Sequence, residues 1–296
     1  CKRSASEGVT GNELYLEFPE SYQSYYQYAK DECDYAISGQ GFNLSSSLED
    51  WMSIFDASNG NNSEMIFDVQ GSSLSGQGTA VSNLFTPRNA GLSGSGFGGN
   101  NKLKPLFINN RIDKFDNRYQ NSIITQYETT TRQFNINPWS TGYIPTNLET
   151  GNTLGTLWQV WTAKYIDTEA TTEYTSRQNW HVIRLADVYL MRAEANAEIM
   201  MDPSAANTDV NILRARVGMQ DIDYTSFSIE NFREEIMRER AVELYMEGHR
   251  FFDLTRFGVY DEYCRFVYGD TDGARQAEDY TWPIPIIEVS TNSEID

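Results

Sequence analysis

Four glutamates recur at four-residue intervals near the carboxyl end: Glu235, Glu239, Glu243 and Glu247. At about 100° per residue, Glu239, Glu243, Glu247 and Arg250 fall on one helical stripe with Phe232 and Ile236. Two chemistries fit such a stripe. One is a catalytic carboxylate pair, as in glycoside hydrolysis. The other is a buried ion network in which Arg238, Arg240 or Arg250 neutralises the carboxylates. The second reading is preferred. A carboxylate inside a helical core needs a cationic partner. Arginines stand beside these glutamates, and no cleft-forming loop does. The expected structural network is Glu239, Glu243, Glu247, Arg240 and Arg250.

Other reactive residues are sparse. The two histidines, His181 and His249, share no motif, so each is read as a packing or hydrogen-bonding residue. The cysteines Cys1, Cys33 and Cys264 show no CxxC or Cys/His spacing, which argues against zinc, iron–sulfur and redox work. Gly91–Asn101 (GLSGSGFGGNN) lacks the GK[ST] of a phosphate loop and reads as a flexible surface loop. Asp270, Thr271, Asp272 and Gly273 resemble part of a calcium loop, but Tyr268 stands where the first ligand belongs, which excludes an EF-hand. No GxSxG or HExxH motif occurs. No metal, no cofactor and no enzymatic activity are expected.

Binding is the better prospect. Aromatic residues make up 13% of the chain, and many lie in Asn- and Ser-rich stretches without periodicity. Most will be core, but flat sugar faces also pack on such rings. Asn135–Tyr143 (NINPWSTGY) is a turn-rich segment, punctuated by Pro138 and Gly142, with Pro145 just beyond. The candidate glycan-binding residues are Trp139 and Tyr143, with Asn137 as a hydrogen-bonding neighbour and Tyr127 as a more distant stacking candidate. At least one of Trp139 and Tyr143 is expected to be solvent-exposed. The net charge of −19 repels phosphate backbones and anionic lipid, which disfavours nucleic acid as a partner.

The elements that must position these residues fall into three regions. Residues 1–58 close a helical repeat region, with a helix over 19–37: Pro19 suits its start and Gly39 its stop. Tyr22, Tyr25, Tyr26, Ala29, Cys33, Ala36 and Ile37 form its packing stripe. Residues 59–180 are a loop-rich, aromatic-bearing excursion with short strands; nine of the 21 glycines lie between Gly60 and Gly99. Glu64–Gln70 alternates like a strand. Residues 181–296 are helical. Ile183–Met200 is apolar nearly all round and so is expected to be sandwiched. Asp202 and Pro203 start a helix over Ser204–Val217, closed by Gly218. Ser228 starts another that runs to about Tyr245 or beyond. Helix pairs joined by short turns predict tetratricopeptide-like hairpins within a mostly α fold. No stretch is long and apolar enough to span a bilayer, so any membrane attachment is expected to be lipid-borne or to lie outside this sequence.

Four stretches in order resemble the SusD/RagB family: Ile183–Ala195 (IRLADVYLMRAEA), Asn211–Met219 (NILRARVGM), Ile236–Gly258 (IMRERAVELYMEGHRFFDLTRFG) and Trp282–Glu288 (WPIPIIE). Fainter similarity lies at Tyr25–Leu44, Glu64–Gln70, Asp116–Arg118 and Lys164–Tyr165. The resemblance implies a SusD-like fold of tetratricopeptide-like hairpins with long irregular loops and a few short strands. It implies a lipid-anchored protein on the extracellular face of the outer membrane. The implied role is non-enzymatic: capture of an oligosaccharide or polysaccharide for nutrient uptake through a SusC-like TonB-dependent transporter. Capture of peptides, as by RagB-type members, is the alternative within the family, and a glycoside hydrolase the alternative outside it. Members of the family carry about as much chain again before the YY-x-x-A helix. Cys1 is therefore expected to be an internal residue, the alternative being the lipidated residue of an unusually short member.

Overall fold

The structure is a computed structural model. It describes residues 20–74, 76–93, 99–103, 115–136, 143–153, 155, 160–172, 174–268 and 290–291. The chain divides into two compact units, one of Gln27–Arg250 and one of Cys1–Tyr26 with Phe251–Asp296.

The larger unit is built on helices. Helix α1 (Tyr22–Ile37) enters it at Gln27. Its Cys33 is buried against Leu185 and Val188. Helix α2 (Leu48–Ser53) starts at Ser47, whose hydroxyl accepts from the Asp50 amide and so satisfies one of the unpaired N–H groups of the first turn. α2 brings Trp51 into a core with Ile54, Phe55, Met65 and Val217. Strand β1 (Met65–Val69) follows, then the short helices α3 (Val81–Phe85) and α4 (Asn117–Asn121). Strands β2 (Gln126–Glu128), β3 (Arg132–Ile136) and β4 (Tyr143–Asn147) form an antiparallel sheet in that order. Strand β5 (Trp180–Arg184) returns to pair antiparallel with β1, setting Phe67 opposite Ile183 and Val69 opposite Trp180.

The helical layer begins at once. Leu185 opens α5 (Leu185–Met200), so the expected helix from Ile183 starts two residues late. The reason is tertiary: Trp180–Arg184 is held extended by β1. α5 is buried on several faces, Leu190, Ala193 and Ala197 being fully enclosed, as its nearly uniform apolar sequence requires. Met201 adopts a left-handed conformation (φ 51°) and ends it. Asp202 caps a 3-10 turn, Pro203–Ala206, and α6 (Asn207–Arg216) follows, so the run expected as one helix is two pieces. Gly218, at φ +71°, supplies the left-handed stop. Ser228 caps α7 (Ile229–Glu243) by accepting from the Asn231 amide. α5 packs on both α6 and α7. Phe232 and Ile236 of α7 and Leu213 of α6 are fully buried. Each such side chain contributes ~1.5–3 kcal/mol of apolar burial.

In the smaller unit, α8 (Arg250–Arg256), from Phe251 on, and α9 (Tyr260–Tyr268) are joined through Gly258 at φ +72°. The Phe251 ring packs edge-on to those of Phe252 and Tyr260. Among the described residues no helix is long and apolar enough to cross a membrane.

Candidate functional site

α7 carries the carboxylate stripe to its end and no further. Glu239 and Glu243 lie on the face of Phe232 and Ile236, and all four are nearly or completely buried. The helix stops at Glu243, two residues short of the expected Tyr245. Met246 takes a positive φ of 61°, and the turn brings Glu247 back beside Glu243. Glu247 thus joins the cluster through a turn, not through helical spacing.

The partners are not the arginines adjacent in sequence. Arg184, the last residue of β5, directs all five guanidinium N–H bonds inward. Its Nε and Nη2 donate to Glu247 at 2.6 and 3.0 Å, its Nη1 to Glu243 and Glu64 at 2.7 and 2.9 Å, and its Nη2 also to the Glu243 carbonyl at 2.8 Å. Arg216 of α6 bridges Glu243 at 2.6 Å and Glu64 at 2.8 Å. Arg118 of α4 contacts Glu239 at 2.7 Å and Glu243 at 3.0 Å, and its other nitrogens grip Asp116. Arg214 completes Glu239 at 2.9 Å. Lys164 donates to Glu247 at 2.7 Å and to the carbonyls of Glu243 and Tyr245. Trp51 donates its indole N–H to Glu243 at 2.9 Å. Glu64, Asp116, Glu239, Glu243 and Glu247 therefore face Arg118, Lys164, Arg184, Arg214 and Arg216, and the formal charges balance.

The expected partners go elsewhere. Arg240 reaches Asp187 on α5 at 2.7 Å, and Arg238 pairs with Glu235 near the surface. Arg250 is half-buried and donates to the Met237 carbonyl at 3.3 Å. The geometry of a helix explains the misassignment. Successive side chains diverge by about 100°, so the residue next to a buried glutamate looks at a different neighbour.

Electrostatics run against a catalytic acid. Burial by itself pushes the Glu243 carboxyl up, but Arg216, Arg184 and Arg118 outweigh it and hold the group well below the ordinary carboxylate range. Glu247 is likewise pushed up by burial and pulled down by Arg184 and Lys164, to about 2. A general acid of a glycosidase needs the opposite shift and access to substrate. At 0–3% exposure these carboxylates have neither.

The aromatic candidates lie elsewhere. Tyr127 is buried on β2, its ring stacked on Phe134 at 4.4 Å and edge-on to Trp161 at 5.6 Å, so it serves the core of the three-stranded sheet. Tyr143 begins β4, in register with Ile136 of β3. Trp139 and Asn137 fall between those strands and lie outside the described residues, as do Cys1, Asp270–Gly273 and Trp282–Glu288. His181 is buried, with Nδ1 at 3.0 Å from Asp68. Cys33 and Cys264 are free thiols, and burial raises the Cys33 thiol to about 12, far from a reactive thiolate. Among the described residues no group of His, Cys, Asp and Glu is arranged to hold a metal ion.

The residues missed as network members were nonetheless inside recognisable segments. Glu64, Arg118, Lys164, Arg184, Arg214 and Arg216 belong to the stretches Glu64–Gln70, Asp116–Arg118, Lys164–Tyr165, Ile183–Ala195 and Asn211–Met219. These scattered stretches converge with α7 on one buried cluster. A profile of the SusD family matches residues 16–296. The chain belongs to the SusD family. The starch-binding protein SusD of Bacteroides thetaiotaomicron is 32% identical over 117 residues, 38% of this chain and 19% of that protein. A SusD-like protein of Formosa agariphila is 35% identical over 96 residues, 32% of this chain and 18% of its own length. Among solved structures, a laminarin-binding SusD-like protein superposes with a TM-score of 0.61 at 24% identity, covering 90% of this chain and 57% of the other. A surface glycan-binding protein of B. thetaiotaomicron in complex with laminarihexaose does so with a TM-score of 0.64 at 19% identity, covering 93% and 59%. The mostly helical SusD-like fold is thus shared with these structures, and the chain spans under three fifths of the length of each.

Proposed function

We propose that the protein captures a glycan at the cell surface without cleaving it and passes it to a SusC-like TonB-dependent transporter in the outer membrane, held there by a lipid anchor. The observation that carries the non-catalytic half of this reading is the enclosure of Glu239, Glu243 and Glu247 among guanidinium groups, which keeps these carboxylates away from a substrate. Support for the ligand class comes from membership of a family whose relatives include starch-, laminarin- and laminarihexaose-binding proteins. Trp139 and Tyr143 are the proposed stacking platforms, with Asn137 bonding ring hydroxyls. Calorimetry of the full-length protein against a glycan panel tests the assignment. Trp139→Ala and Tyr143→Ala should each weaken binding. If both leave the affinity within twofold while the fold is intact, this segment is not the site.

A further inference from the structure

Two hollows of about 480 and 400 Å³ open on the larger unit and share Ala57, Ser58 and Arg177 in their walls. Each has a volume in the range of ligand sites, roughly 300–1,000 Å³. The first of them is a polar groove. The loop 57–61 makes one wall and the turn 70–73 after β1 another; the second hollow is acidic, lined by Asp56, Asp167 and Glu169.

The groove is held in shape by one buried side chain. Asn179, 4% exposed, donates its amide to the Gly60 carbonyl at 2.9 Å and to Asp68 at 3.1 Å, and accepts from the Gly71 amide at 3.0 Å. It thereby ties both walls together. Glycine is required at each tie. A Cβ on Gly60 would sit 2.6 Å from the Asn179 amide nitrogen, and one on Gly71 would sit 2.9 Å from the Gln178 carbonyl. The walls are therefore fixed before any ligand arrives, which lowers the ordering cost of binding.

The rim offers small neutral polar groups. Gln70 donates to Asn61 at 2.7 Å, and both are exposed, so the Gln70 carbonyl and the Asn61 NH2 group are presented in a fixed relative orientation. Ser58 and Ser73 stand exposed beside them. Among the described residues that line the groove the cation is Arg177, which is engaged by Glu169 at 2.6 Å. This lining suits neither an apolar ligand nor a polyanion, and the chain's charge of −19 disfavours the latter further. It suits a ligand that presents alternating hydroxyl donors and acceptors without charge.

We propose that this groove is a hydrogen-bonding subsite for a neutral oligosaccharide, with Asn61 and Gln70 as its principal contacts. The proposal rests on the glycan-capture reading. The test is calorimetry on the full-length protein with laminarihexaose, cellohexaose, maltohexaose and, as a further arm, a neutral hexapeptide. Two variants are used: Asn61→Ala with Gln70→Ala, which removes the contacts, and Ser73→Trp, which fills the groove. Both change exposed positions, and an unchanged unfolding midpoint verifies the fold. At least one hexasaccharide should bind the unaltered protein, and each variant should weaken it at least tenfold. Binding that stays within twofold in both variants but falls in Trp139→Ala overturns the groove and leaves the glycan reading standing. Binding of the hexapeptide alone, or of nothing, overturns both.

Discussion

Arg184 and Glu243 meet twice: Nη1 donates to the Glu243 carboxylate at 2.7 Å and Nη2 to its backbone carbonyl at 2.8 Å. The residue that ends strand β5 thus holds both the side chain and the last carbonyl of helix α7. One residue on, Leu185 opens α5. A single guanidinium therefore fixes the junction of the sheet with two packed helices, and its planar fork adds geometric specificity to that junction.

Replacing Arg184 by Met should destabilise the protein by about 3–5 kcal/mol, because it strands Glu243 and Glu247 inside the core while their remaining partners cannot neutralise them fully. Urea unfolding of the variant checks this. Arg238→Met removes an arginine that is half exposed and paired only with Glu235, and should cost no more than about 1 kcal/mol. Equal losses from the two substitutions would mean that the cluster does not organise the fold.

Acid should weaken the protein in a defined window. The Glu247 carboxyl has an ordinary value of 4.5 and is held at about 2 when folded, and Glu243 is lowered as well. Between those values the unfolded chain binds the extra protons. The stabilisation from these groups is therefore complete above about pH 4.5 and is lost as the pH falls toward 2. Unfolding free energy measured down this range should fall steadily, and the fall should be smaller in Glu247→Gln. A stability independent of pH across the window would contradict the charge state assigned to the cluster.

Much of the scaffold was legible because its signals are local. Ser228 as a cap, Gly218 as a stop and the alternation of Met65–Val69 need only neighbours in sequence, and they appear where expected. The stripe of Glu239 and Glu243 was legible as a face. Its partners were not, since Arg118 and Glu243 lie 125 residues apart and Trp51 and Glu243 lie 192 apart. Pairing at that separation is decided by tertiary packing. The same holds for Arg184, read as helical until pairing with β1 made it the end of a strand. Tyr127 illustrates the limit for binding residues: a tyrosine between polar neighbours looks the same in sequence whether it faces a sugar or, as here, stacks on Phe134.

Capture without cleavage leaves the ligand whole, and recovery of the ligand tests this. A glycan that binds the full-length protein saturably in calorimetry is incubated with it at high protein concentration, recovered and chromatographed. It should return intact, with no new reducing ends, from the unaltered protein. Shortened products from the unaltered protein would contradict capture without cleavage.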